Sequence, residues 1–505
     1  MITLSKSKFV SGNQCSKKLY FDFYRKDLKP EITDDQQARF DTGHEIGRLA
    51  QQVFPNGSDA TLDFNGDWGL AIKRTAQWLA AGVNTIYEAS FSHSGGFAAL
   101  DIWHNTGTEN WAIEVKSSAD LKEYYFTDAA FQYWVMNRCG QAPDRFFLMH
   151  INKEYKKRGA IDPIQLFVQT DITHKVLELQ NDIEYRLRSM QNMLVQAEEP
   201  GVSIGNQCNN PFECPYKHHC WSHIPEQSVF DLYRPYGKDW KLYDMGILRL
   251  ADIPLTQKLS KRQQLQVNGI KYNLSHTDIL GIGGFLNRLS YPLHFFDFET
   301  ISSTIPVLDE SSPFEQIPFQ YSLHILDTQG AKPIHREFLA QPEDFTNGSS
   351  MDPREQLLKQ LLKDIGAKGS VIVYYAPFER TVFKQLKQAF PKYGAFIDDI
   401  LLRMVDLHEP FNKGLRYEPS MGKSASIKDV LPALAPEFSY TNLEISNGDK
   451  ASTLYLQKVQ GCLTDDWELT RKNLIAYCER DTEGMVILHE KLCDASSNTK
   501  TLISN

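Results

Sequence analysis

The sequence has no excess of positive charge, no membrane-length apolar run, no low-complexity tract and no internal repeat. Each absence narrows what it encodes. A net charge of −9 over 505 residues argues against a protein held to nucleic acid by bulk basic charge. It leaves room for an enzyme whose metal-binding carboxylates and outer surface dominate the sum. No hydrophobic stretch approaches the ~20 residues of a spanning helix, so no membrane partner is expected. The opening MITLSKSKFVSG lacks the apolar core of a signal peptide, which points to the cytoplasm. A complete phosphate loop is also missing, because MGKS at 421–424 has Tyr417 where that motif needs Gly. Any unwinding would therefore fall to a helicase or another protein partner.

What is present is a globular composition, 42% hydrophobic and 23% charged, on a chain too long for one ordinary domain. The pattern predicts an α/β protein with two α/β domains joined by a mostly helical connector. The first domain is expected over 1–222, the connector over 223–290, the second domain over 291–495 and a tail over 496–505. In the first domain a helix is read at 34–53 and strands at NTIYEASF, GGFAALDIWH and NWAIEVKSS. A helix follows at 123–139, then strands near 144–151 and 163–169 and a long helix over 171–198. In the second, strands are read at 293–299, 318–327, 334–340 and 370–375, with helices at 353–365, 377–389 and 467–493. Three early strands followed by alternating helix and strand suit a mixed sheet with helices packed on it.

Local charge departs from the global balance. Residues 1–30 hold seven Lys or Arg against two Asp, a balance of +5, with Phe and Tyr interleaved. Such a strip can follow a phosphate backbone and stack bases, or form a solvated amphipathic helix.

ALDIWHNTGTENWAIEVKSS places Asp101 at the end of one strand, with Glu114 and Lys116 on one face of the next. Two carboxylates and a lysine can hold Mg²⁺ or Mn²⁺ and position an attacking water. The residues resemble the PD-(D/E)XK nucleases, in particular the RecB-like branch. That resemblance implies a restriction-endonuclease-like fold. It makes His44, Asp101 and Glu114 metal ligands and Lys116 the residue that positions the nucleophile. Gln132 would contact substrate or water, and Glu88 is a further acid nearby. Met136 stands where a Tyr usually follows the Gln.

Of eight cysteines, Cys208, Cys214 and Cys220 crowd into a C-x5-C-x5-C array, and Cys15 stands alone near the start. Cys139, Cys462, Cys478 and Cys493 read as core thiols. Crowded thiols in a reducing compartment suggest metal rather than disulfides. The opening LSKSKFVSGNQCSKKLY and the one-plus-three arrangement resemble iron–sulfur members of the RecB-like group, including the CRISPR-adaptation nucleases. By that resemblance the four cysteines would hold a [4Fe–4S] cluster. The departure is in spacing, which in that family is more often C-x2-C-x5-C. Zn²⁺ is the alternative, because His218, His219 and His223 lie beside the thiols.

LHFFDFETISS carries Asp297 and Glu299 on one face at the end of an apolar strand. Carboxylates held this close repel each other unless a cation neutralises them. Far downstream, NLIAYCERDTEG puts Tyr477 and Asp481 one helical turn apart. The combination resembles the DEDD exonucleases of ribonuclease H-like fold, in the branch that uses Tyr. Glu379, in VIVYYAPFERTVF, stands where that family usually has Asp, and Asp406 is read as structural. The resemblance implies that Asp297, Glu299, Glu379 and Asp481 hold two metal ions, with Tyr477 orienting the water.

Together these readings lead to the expectation of a metal-dependent nuclease with two active centres, including 3′-to-5′ trimming, acting on DNA rather than RNA. The rivals are an RNA exonuclease and an inert nucleic-acid-binding clamp or scaffold. The order of the two parts resembles an uncharacterised bacterial two-domain family.

Overall fold

The computed structural model describes residues 2–196, 198–345, 351–438, 440 and 442–497. It is an α/β protein with mixed sheets. Among the described residues no helix is long and apolar enough to cross a membrane. Two compact units divide the chain. One comprises Met1–His223 and Ser303–Phe314; the other comprises Ile224–Ser302 and the residues from Glu315 onward.

The first unit is built on a seven-stranded sheet. Its strands are β1 (Leu4–Ser5), β2 (Ser58–Asp59), β3 (Thr85–His93), β4 (Gly96–Asn105), β5 (Asn110–Lys116), β6 (Arg145–Ile151) and β7 (Phe167–Asp171). They run in the order β2-β3-β4-β5-β6-β7, with β1 parallel to β4. β4 is forked: its start pairs with β1 at Gly96 and Phe97, and its end pairs with β5 from Ile102 to Asn105. β1 thus fills the place on β4 that β5 leaves.

One face of this sheet is covered by the helices Lys6–Gln14, Glu123–Arg138 and Ile183–Val195, which supply Phe9, Phe131, Val135 and Leu187 to the core. The other face takes Ile46 and Ala50 from the helix Asp34–Val53, together with Ile305. The segment 303–314 is pinned here by Lys157 Nζ, 2.5 Å from Asp309 Oδ1, and by Arg158 Nε, 2.8 Å from Glu310 Oε1.

The second unit has a five-stranded sheet ordered β11-β10-β9-β12-β13. In chain order, β8 (His276–Thr277) precedes β9 (Leu293–Ile301), β10 (Ile317–Leu326), β11 (Ile334–Leu339), β12 (Ser370–Val373) and β13 (Met404–Asp406). The first three strands of the sheet are antiparallel, and β12 and β13 run parallel to β9. Alternation on β9 sends Phe296 and Phe298 into a core with Leu357, Val382 and Phe383. Asp297 and Glu299 go to the opposite face, against the helix Trp467–Ser497.

Several expectations need correction. The connector is not a separate piece. It folds within the second unit around Val229, Leu242, Leu250 and Val267, and β8 pairs with β14 (Arg416–Tyr417). The helix expected over 171–198 is broken into Thr173–Glu178 and Ile183–Val195 by a 3₁₀ turn at Gln180–Asp182. The strand expected from 163 opens as a helical turn, with Pro163 at its first position and Asp162 accepting from the amides of Ile164 and Gln165. Asp101 and Asp297 lie inside their strands rather than at the ends. Cys139 and Cys462 are exposed, so they are not core thiols. Of the expected tail, 498–505 lie outside the described residues.

Candidate metal centres

In the first unit the fork of β4 makes the site. Ala98, Leu100 and Trp103 pack in one apolar cluster and Ile102 in the other, so side-chain alternation slips by one residue at Asp101. Beside it on β3, Ile86, Ala89 and Phe91 against Tyr87 show the same slip at Glu88. Glu88 takes a left-handed backbone, φ 53°, a strained conformation for this residue type. The irregularity aims both carboxylates at the fork. Asp101 Oδ2 accepts from the Val115 amide at 2.6 Å, closing the gap in the β4–β5 ladder.

Glu114 is 2% exposed and fully engaged. Its Oε1 accepts from Lys6 Nζ and Lys116 Nζ, both at 2.8 Å, and its Oε2 from Gln132 Nε2 at 2.9 Å. Lys116 also bonds Asp128 Oδ2 at 2.8 Å. Burial raises the Glu88 carboxyl to about 8 and the Asp101 carboxyl to about 6, with neighbouring carboxylates adding to both. Burial acts upward on Glu114 too, but Lys116 and Lys6 together outweigh it and hold Glu114 down at about 2. Gln132 Oε1 and Asp128 Oδ1 are buried with no hydrogen-bond partner among the described residues. The set thus has acids that resist ionising and acceptor atoms left over, which is the condition a divalent cation relieves. A cleft of about 770 Å³ opens beside Glu88 and Asp101, lined by Lys6, Lys8, Phe23, Trp68 and Phe97.

His44 is not brought to this site. Its helix packs Ile46 against the sheet face that carries Ile113, and alternation puts Glu114 on the other face. The His44 ring is exposed. Lys6 and Asp128 were missed. Lys6 had a usable signal, since it directly follows the apolar-anchored LS of β1. Asp128 had one too, on the helix of Gln132 and one turn before it.

The four cysteines expected as cluster ligands all line one small pocket, with Phe21, Ile204 and Tyr216. The loop is fastened to the N-terminal helix by Gln14 Nε2, which donates to Gln207 O at 2.8 Å and Phe212 O at 2.7 Å. Tyr216 Oη donates to Asp22 Oδ1 at 2.8 Å. Among the described residues, these sulfurs form no group of three within 4.8 Å of one another. Tetrahedral zinc with Zn–S near ~2.3 Å would need sulfurs about 3.8 Å apart. His218, His219 and His223 do not line the pocket. The pocket's lining thus offers four thiols and no imidazole.

The second unit brings all of its expected residues together. Asp297, Glu299 and Cys478 offer ligand atoms within 4.8 Å of one another. Asp481 lies one helical turn beyond Tyr477 on the same buried stripe of the long helix. Tyr440 Oη donates to Asp481 Oδ1 at 2.6 Å. Glu379 stands in the first turn of the helix Ala376–Ala389, 2% exposed, with Oε2 buried and without a hydrogen-bond partner among the described residues. Asp406 sets that helix: its Oδ1 accepts from Tyr375 N at 2.9 Å and His408 N at 3.0 Å, and its Oδ2 from Ala376 N at 3.1 Å. These contacts are those of a helix-capping residue, the structural part that the sequence reading gave it.

Burial, then mutual repulsion with Asp481 and Glu379, drives the Asp297 and Glu299 carboxyls well above the usual range. Burial raises Asp481, against hydrogen bonds from Tyr440 and Tyr477, and raises Glu379 to about 8. Lys428 supplies a cationic field to Asp297, Glu299 and Asp481. The Tyr477 phenol is pushed far up by burial and by Asp481, so it stays a neutral donor. Three buried carboxylates and the half-buried Asp297, with an orphaned oxygen on Glu379, fit divalent cations. Cys478, Tyr440 and Lys428 were missed: Cys478 was read as a core thiol, and it is buried, but its Sγ lies 4.0 Å from Asp297 Oδ2.

A family model described as a domain of unknown function, DUF2779, matches residues 294–426. That stretch holds Asp297, Glu299 and Glu379 and stops short of Tyr477 and Asp481. The chain is 29% identical over 225 residues to a Mycoplasma pneumoniae protein named uncharacterized protein MG366 homolog, covering 40% of this chain and 32% of that one. It is 28% identical over 215 residues to uncharacterized protein MG366 of Mycoplasma genitalium, with the same two shares. With uncharacterized protein UU173 of Ureaplasma parvum it shares 29% over 235 residues, 42% of this chain and 33% of that one. The chain spans about a third of the length of these curated relatives.

Proposed function

We propose that the protein is a metal-dependent nuclease with two centres, one in each unit, acting in the cytoplasm and on DNA in preference to RNA. The observation that carries the reading is the convergence of Asp297, Glu299, Glu379 and Asp481 in one buried cage whose carboxylates repel each other. Mg²⁺ or Mn²⁺ held there would neutralise the cage and stabilise charge on a scissile phosphate. Tyr477, kept neutral, would donate to the attacking water or to a phosphate oxygen and fix its direction. Tyr440 and Lys428 act against the burial that raises the Asp481 carboxyl. The order of strands in the second sheet, three antiparallel and then two parallel, supports the ribonuclease H-like reading.

In the first unit Asp101 and Glu114 are the proposed metal ligands, with Glu88 as an added acid. Lys116 is the residue that orients the nucleophile, and Gln132 holds Glu114 in place. The cleft with Phe23, Trp68 and Phe97 beside Lys6 and Lys8 suits a strand whose bases stack and whose phosphates meet ammonium groups. Cys15, Cys208, Cys214 and Cys220 are proposed to hold the iron–sulfur cluster.

The test compares three proteins on end-labelled single-stranded DNA, duplex DNA and RNA with Mg²⁺ or Mn²⁺. They are wild type, Glu114→Ala with Lys116→Ala, and Asp297→Ala with Glu299→Ala. Loss of a distinct part of the cleavage pattern in each double variant is the expected result. Binding without cleavage by wild type would replace the enzyme with a nucleic-acid clamp.

A further inference from the structure

Three ligating side chains outside the acid cage converge at the outer strands of the second sheet. His324 on β10 and His335 on β11 are direct cross-strand partners, so their rings leave the same face. The ring centroids are 4.6 Å apart. Glu479 reaches them from the helix Trp467–Ser497, with Oε1 3.5 Å from His335 Nδ1. One ligand atom from each of the three lies within 4.8 Å of the others.

The remaining ring nitrogens are fixed by hydroxyls. Ser322 Oγ lies 2.9 Å from His335 Nε2, and Thr482 Oγ1 lies 2.8 Å from His324 Nδ1. The two hydroxyls are themselves 2.6 Å apart. Imidazoles that bind metal are held in this way, one nitrogen tied to a protein group so that the other is aimed and kept basic. His324 is buried, and burial with His335 beside it pushes its pKa down to about 4, so the ring is a neutral ligand at physiological pH. His335 and Glu479 are partly exposed, which gives an ion a path in and leaves positions for water.

We propose that His324, His335 and Glu479 form a metal site of a different kind from the acid cage, taking a borderline divalent transition ion of the zinc class. Two imidazoles and one carboxylate suit such an ion better than Mg²⁺, which demands oxygen ligands. The bound ion ties β10 and β11 to the helix that carries Tyr477 and Asp481. It acts as a clamp on that helix, next to Ser322, the cross-strand partner of Asp297. The site does not depend on the nuclease reading.

The test is calorimetric titration of the full-length protein with Zn²⁺ in excess Mg²⁺, which keeps the oxygen cage filled. Wild type is compared with His335→Ala and Glu479→Gln, both at partly exposed positions, with near-UV circular dichroism as the check on folding. The expected result is one Zn²⁺ event in wild type that weakens tenfold or more in both variants while other events persist. Co²⁺ in place of Zn²⁺ separates this site from the cysteines, because thiolate ligation adds strong near-ultraviolet charge-transfer bands that nitrogen and oxygen ligands lack. Absence of the event from wild type, its assignment to thiolates, or its survival in either variant overturns the proposal.

Discussion

Lys6 Nζ lies 2.8 Å from Glu114 Oε1, joining residues 108 positions apart in the sequence. The contact follows from the fork in β4: β1 takes the place vacated by β5, so the residue after β1 arrives at the end of β5. Glu114 is therefore shared between two ammonium groups, where the sequence pattern offered one.

Replacing Lys6 by Met removes one of these cations and leaves Glu114 buried with Lys116 and Gln132. A loss of roughly 1–3 kcal/mol in unfolding free energy is expected, the usual range for taking a charged partner from a buried acceptor. Glu114 is held at about 2 against an ordinary value of 4.5. A depressed carboxylate stabilises the fold above its unfolded pKa, and that contribution is lost as pH falls through the folded one. The gap between wild type and Lys6→Met should therefore be full above pH 4.5 and close towards pH 2. Urea melts across that range measure it.

The acid cage carries the opposite sign. Glu379 is raised to about 8 from 4.5, so between those values the folded state binds a proton that the unfolded state has lost. Stability must then fall as pH rises through this window. In chelator, the unfolding temperature of wild type is expected to drop from pH 5 to pH 8, and Mg²⁺ or Mn²⁺ to restore it. Glu379→Gln should flatten the chelator curve, gaining about 2–4 °C at pH 8, the shift expected from ~1 kcal/mol in a domain of this size. It should also lose most of the metal response. Calorimetry with and without chelator reads both.

The strands, most helices and both acid sets could be read from the chain because strand alternation and helical spacing are local. Asp297 with Glu299, and Tyr477 with Asp481, each share a face by spacing alone. What escaped reading was set by tertiary packing. Tyr440 sits in an irregular segment with no periodicity to place its hydroxyl on Asp481. Cys478 looked like a core thiol because burial and proximity to a carboxylate leave the same apolar signature around it. His44 failed for the converse reason: its helix is real, but Ile46 and Ala50 dock it on the face away from Glu114. The break between Glu178 and Ile183 was hidden by helix-forming residues on both sides, which propensity alone joins into one helix.

Protein purified without oxygen is expected to be brown and to carry about four irons per chain. Cys15→Ser should lose the colour and most of the iron, because in the proposed cluster that residue is the ligand from the other end of the domain. Gln14 and Tyr216 hold the loop to the N-terminal helix independently of the sulfurs, so the variant should remain folded in circular dichroism. A colourless wild type whose zinc is lost in Cys15→Ser but kept in His335→Ala would reverse the assignment.

Tyr440 and Tyr477 both touch Asp481, yet their substitutions should differ. Tyr440 donates to Asp481 Oδ1 at 2.6 Å, and its loss removes one of the bonds that counter the burial raising Asp481. Tyr440→Phe is expected to weaken metal affinity, so that excess Mn²⁺ recovers most of the cleavage rate. Tyr477 is neutral over the whole working range, because burial and Asp481 push its phenol far up. Tyr477→Phe should lower the rate about 10²-fold, at the lower end of the range for losing a positioned proton-transfer or orienting group. Excess metal should not recover it, and no new limb should appear in the pH profile. Titrating Mn²⁺ against cleavage rate for the two variants tests the proposed split between Tyr440, which bonds the metal ligand Asp481, and Tyr477, which would orient the water.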